Sequence, residues 1–172
     1  QASMTWDLVK WFKDTFKIPL VLKGIATAED AKLCVEHGVD CVYVSNHGGR
    51  QLDHGRGAID VLPEVAGAVQ GRAEIIVDGG FLRGSDILKA IALGANSVAI
   101  GKLQGLGLAA AGVAGIVRIL EILEIEIRTD LGLLGLASYK GLDPSYIHAA
   151  PPVHFPGVAS AYPFLDLKQP EY

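Results

Sequence analysis

What this chain lacks narrows it first. Its 172 residues include only two cysteines, Cys34 and Cys41. They form neither a CxxC pair nor a disulfide framework, so both read as reduced core residues. No basic cluster offsets the formal net charge of -4, which argues against nucleic acid as a partner. No uninterrupted apolar run approaches the roughly 20 residues that span a bilayer, so no membrane partner is expected. The nearest, 106–127, is interrupted by Arg118, Glu121, Glu124 and Glu126, and reads as a buried amphipathic helix. No basic, apolar leader opens the sequence, so secretion is not expected and a cytoplasmic location is. No G-x-G-x-x-G follows any apolar run, which removes the dinucleotide fingerprint.

What is present is a repeat of strand-like and helix-like segments. Half of the residues are hydrophobic, enough for one domain with a substantial core. Ile18 to Gly24 reads as a strand, followed by a helix that Thr27 opens three residues before Asp30. Cys41 to Val44 is short and apolar, as a buried parallel strand is, and Ile59 to Val69 is its helix. Glu74 to Gly80 leads into the helix 85–93, and Ser97 to Lys102 leads into a long helix after Gly107. Each strand ends in glycine beside a polar or charged residue. Right-handed crossovers bring such ends to one face, where α/β folds build their sites. Four units are half the wall of an eight-unit (β/α) barrel, so the expected fold is α/β, with the rest supplied by another polypeptide or a second copy.

The segment Ser45-Asn46-His47-Gly48-Gly49-Arg50-Gln51-Leu52-Asp53 follows the second strand. Histidine is the usual general base near neutral pH, and arginine presents a planar fork that matches a carboxylate. Glycines between them let the backbone turn sharply and approach a ligand. A histidine capping a strand beside a solvated arginine is the blander alternative for the same residues.

Ser45 to Gln51 resembles the signature of the FMN-dependent α-hydroxy acid oxidases and dehydrogenases. Trp6, the stretch from Pro19 to Gly24, Thr27 to Ala31, Gln51 to Asp53, Leu62 to Val65, Asp78 to Gly80, Arg83 to Asp86 and Lys89 to Gly94 follow in the same order and spacing. The likeness covers residues 3 to 145. It implies a TIM (β/α)8 barrel of which residues 1–141 supply the last four units, while 142–172 read from their own composition as an extended carboxyl-terminal arm. It also implies a small L-2-hydroxy acid substrate oxidised to the 2-keto acid, an FMN cofactor, an amino-terminal barrel half on a separate chain, and a homo-oligomer of tetramer size or larger.

Residue by residue, the resemblance makes His47 the catalytic base and Arg50 the partner of the substrate carboxylate. Lys23 falls beside flavin N1 and O2, where a cation stabilises the reduced ring, and Ser45 is a polar contact to the ring. Oxidation of a hydroxy acid needs a two-electron acceptor that no side chain supplies, which a flavin provides. The flavin phosphate is expected where the last two loops meet helix amino termini, at Asp78, Gly79, Gly80, Leu82, Arg83, Gly101 and Lys102. Leu82 stands where the family usually has arginine, and Lys102 where it has the arginine of Gly-Arg-Pro. One phosphate-side arginine is gone, and the other keeps its charge but not its bidentate geometry.

The apolar stretch 103–115, with Val113 where the family tends to be acidic, reads as packing. Beyond Gly141, prolines 144, 151, 152, 156, 163 and 170 break helices among Tyr146, Phe155, Tyr162 and Phe164, which predicts an arm lying across a neighbour. His148 and His154 sit in it without a third ligand at suitable spacing, so no metal site is expected.

Overall fold

The computed structural model describes residues 4–52 and 54–150. Helix α1 (Trp6–Thr15) is followed by β1 (Val21–Ile25), α2 (Ala28–Glu36), β2 (Cys41–Val44), α3 (Ala58–Val69), β3 (Glu74–Asp78), α4 (Gly84–Ala92), β4 (Ser97–Ala99) and α5 (Lys102–Leu133). The strands form one parallel sheet in the order β1-β2-β3-β4. That arrangement brings all four carboxyl ends to one rim, as the strand-helix alternation predicts. Asp53, His154 and the rest of 151–172 lie outside the described residues.

Local chemistry explains the element boundaries. Thr27 Oγ1 accepts the Asp30 N–H at 3.1 Å and opens α2. Asp40 Oδ2 accepts both the Leu20 N–H at 2.7 Å and the Lys13 ammonium at 2.6 Å, tying α1 to the approach to β1. Gly24, at φ +101°, sits where the β1–β2 register shifts between Lys23 and Ile25. This bulge needs the left-handed backbone that glycine adopts without strain. The sheet is strongly two-sided. Val42, Val44 and Val77 are fully buried against the helices, with Leu62, Val65 and Cys34. Both cysteines are free and buried, and burial pushes the Cys34 thiol up to about 11.

The long apolar segment departs from its sequence reading. Helix α5 breaks at Ala111 and Gly112, where Gly112 adopts φ 58°, ψ -139°. A Cβ placed on Gly107 would lie 3.0 Å from the Gly115 carbonyl oxygen. Residues eight apart in a straight helix are about 12 Å apart along its axis. The two arms, 102–110 and 113–133, therefore fold against each other through their glycines. The segment is not the buried amphipathic helix that its composition predicts: Leu106 is 63% exposed and Val113 76%, so Val113 is not the packing residue its neighbours make it look. By length and composition α5 suffices to cross a membrane. Yet any stretch of eighteen with no more than two charges must end before Glu124 and so contains 111 and 112, which makes it two short arms rather than one span.

The start of the expected arm lies on its own chain. Short 3-10 turns at Tyr139–Gly141 and Pro144–Tyr146 follow α5, and Leu142, Tyr146 and Ile147 line a cavity with Ser85, Leu88 and Leu134.

Candidate active site at the carboxyl rim of the sheet

Lys23 on β1, Tyr43 on β2 and Asp78 on β3 share the face of the sheet opposite the helices. Lys23 and Tyr43 are register partners. The Lys23 ammonium donates to Ser45 Oγ at 2.7 Å, stands 3.1 Å from Asp78 Oδ2 and lies 4.8 Å from the Tyr43 ring centroid. Tyr43 donates its hydroxyl to the same Asp78 oxygen at 3.1 Å. Burial first, then the Asp78 carboxylate, push the Tyr43 hydroxyl up to about 12. It therefore stays a donor across the physiological range. Asp78 Oδ1 is buried with no hydrogen-bond partner.

Ser45 joins this cluster to the histidine. Besides the Lys23 proton, its oxygen accepts the His47 N–H at 3.1 Å. His47 takes φ +57° at the head of a 3-10 turn, His47–Gly49, and Asn46 Oδ1 accepts the Gly49 N–H at 3.2 Å. A positive φ at a non-glycine residue is strained and concentrates at functional sites. Gln51 Nε2 lies 3.1 Å from His47 Nδ1. Arg50 follows the turn and is exposed, as His47 is. Among the described residues nothing excludes water from them.

The last two loops divide the anion-binding groups unequally. The amino end of α4 is already satisfied by carboxylates: Asp86 Oδ2 accepts the Leu82 and Arg83 N–H groups at 3.2 and 3.1 Å, and Glu126 Oε2 accepts that of Gly84 at 2.6 Å. The Arg83 guanidinium points to Glu126 Oε1 on α5, 2.7 Å away. Gly79 and Gly80 take φ +102° and +82°, and a Cβ on Gly80 or Gly101 would meet nothing within 4 Å. The Lys102 side chain lies by Gly48, across the rim from its own helix. Lys23, Ser45, His47, Asp78 and Lys102 thus converge, whereas Arg83 is committed to the α4–α5 contact.

Tyr43, Gln51 and Glu126 were not singled out by sequence reasoning. The polar Tyr43 inside an otherwise apolar strand was the available signal for the first. Among the described residues no cluster of histidine, cysteine and carboxylate side chains could hold a metal.

A four-stranded parallel sheet with helices on one face and a basic, glycine-lined rim defines an α/β protein. The family model described as FMN-dependent dehydrogenase matches residues 1–149, and the chain belongs to that family. It is 43% identical over 146 residues to L-lactate oxidase of Nostoc sp., covering 85% of this chain and 40% of the relative. It is 46% identical to 2-hydroxyacid oxidase 2 of Homo sapiens, with 85% and 42% covered. A crystal structure of mandelate oxidase with benzoyl-formic acid superposes with TM-score 0.77 at 44% identity, covering 80% of this chain and 41% of that one. The chain therefore spans about 40% of the length of the relatives it matches.

Proposed function

We propose that this chain is the carboxyl-terminal half of an FMN-dependent (β/α)8 barrel that oxidises a small L-2-hydroxy acid, of the lactate, glycolate or mandelate type, to the 2-keto acid. The observation that carries the reading is Ser45 Oγ, which bonds both the Lys23 ammonium and the His47 backbone. One hydroxyl thereby sets the cation and the base in fixed relation at one strand end. The residues fit the cofactor. Lys23 offers a cation for the ring, buried Asp78 Oδ1 an acceptor in need of a donor, and the open backbone at Gly80 and Gly101, with Gly79 and the Lys102 ammonium beside it, a cradle for a phosphate.

When bound, FMN supplies the two-electron acceptor that the side chains lack. Arg50 clamps the substrate carboxylate through paired N–H donors. His47 takes a proton from the substrate. Arg83 and Leu82 shape the loop, Arg83 by holding it to α5. Because His47 and Arg50 are exposed here, the reading assigns four further β/α units, on a separate amino-terminal chain, to close the barrel over them. It also places the enzyme in the cytoplasm as a homo-oligomer of tetramer size or larger.

The test is spectroscopic. The chain is mixed with FMN, alone and with the first four units of a relative such as glycolate oxidase of Spinacia oleracea. Lactate, glycolate or mandelate is then added without oxygen. Flavin uptake, and bleaching in the complemented sample, are expected. A colourless protein in both samples overturns the reading.

A further inference from the structure

We infer that Tyr43 is a positioning residue of the cofactor site, clamping Lys23 and Asp78 through its hydroxyl and its ring. The inference rests on the flavin reading above but concerns groups that act one layer below the rim. Asp78 Oδ2 has two donors, the Tyr43 hydroxyl at 3.1 Å and the Lys23 ammonium at 3.1 Å. The same ammonium stands 4.8 Å from the Tyr43 ring centroid. Tyr43 therefore holds both members of the ion pair, one by a hydrogen bond and one by its π face.

Each contact has a consequence. A lysine on a four-carbon stem is a mobile point charge unless its stem is confined. Here ring and carboxylate confine it, and the ammonium reaches Ser45 Oγ at 2.7 Å. The carboxylate in turn has one oxygen fully engaged, which leaves the buried, unpartnered Oδ1 as its only acceptor for an incoming donor. Tyr43 pairs with Ile76 of β3, two residues before Asp78, and it is the one hydroxyl-bearing residue of β2.

Tyr43→Phe keeps the ring and removes the hydroxyl, and Tyr43→Leu removes both. The lysine ammonium resonance of Lys23, assigned by its loss in Lys23→Arg, is followed by 15N–1H correlation in the chain without flavin. FMN affinity is followed by fluorescence quenching, and unfolding by urea confirms equal folding. We expect Tyr43→Phe to shift the Lys23 resonance, speed its proton exchange at least threefold, and weaken FMN about tenfold. Tyr43→Leu should exceed both effects. An unchanged resonance, or a changed resonance with unchanged FMN affinity, overturns the inference. A wild-type chain that takes up no FMN either alone or with the complementing four units overturns the flavin reading instead, and the resonance, which needs no flavin, then judges the clamp alone.

Discussion

Glu126 holds Arg83 and the amino end of α4 with the two oxygens of one carboxylate, 2.7 Å from the Arg83 Nε and 2.6 Å from the Gly84 N–H. The helix crossing permits this because Gly84 has no Cβ: one built there would lie 2.6 Å from Glu126 Cβ and 2.7 Å from Ile127 N. Glu126→Ala removes a cap and an ion-pair partner together. Caps of this kind contribute about 0.5–2 kcal/mol, so urea unfolding should show a loss of about 1–2 kcal/mol with an unchanged slope. A loss within a few tenths would mean that the carboxylate is not engaged in solution.

Leu82 and Lys102, at the proposed phosphate side, give a gain-of-function test. Leu82→Arg and Lys102→Arg each supply a planar fork where the chain now has an apolar chain or a point charge. Isothermal titration should show FMN binding tighter by about three- to tenfold for each. Unaltered affinity in both variants would place the phosphate elsewhere.

Replacing His47 by alanine tests the proposed base while leaving the proposed cradle in place. With the barrel completed, the rate of flavin bleaching by substrate should fall on the order of 100- to 10,000-fold. FMN affinity should stay within about threefold, because the bond to Ser45 is made by the His47 backbone. Equal losses in affinity and rate would mark His47 as a structural residue.

Asp40 should make the fold acid-sensitive. Its carboxyl is held below the ordinary range by the Lys13 ammonium and then by the Leu20 N–H. A carboxylate with a depressed folded-state pKa contributes stability fully present above its unfolded value of about 3.9 and lost as pH falls through the folded value. Urea midpoints measured from pH 6 to pH 2 should fall below about pH 4. Asp40→Asn should flatten that part of the curve, and a parallel curve would exclude Asp40 as its source.

The sequence disclosed the alternation of units because valine-rich strands buried on the helix side read plainly, as at Val42, Val44 and Val77. The Thr27 cap was legible for the same local reason. Motif and strand end together point to Lys23, Ser45 and His47 at one rim, and Ser45 Oγ joins the other two there. What sequence could not disclose depends on partners far along the chain. Arg83 looks like a phosphate ligand until Glu126, 43 residues on, is seen to hold it. The apolar 103–115 looks like core until the turn at Gly112 sets its two arms side by side and leaves their outer faces exposed. Tyr43 reads as a strand aromatic until Asp78 is seen across the sheet.

Strand order in this sheet follows chain order without a skip. Val21 pairs with Cys41, Cys41 with Glu74 and Ile76 with Ser97, so every ladder is closed by a single intervening helix. Loop-closure entropy is then met one modest step at a time rather than in one long-range event. Folding can advance unit by unit along the polypeptide, and the site's cation, hydroxyl and carboxylate come together in that sequence, completed when β3 docks and brings Asp78 beside Lys23.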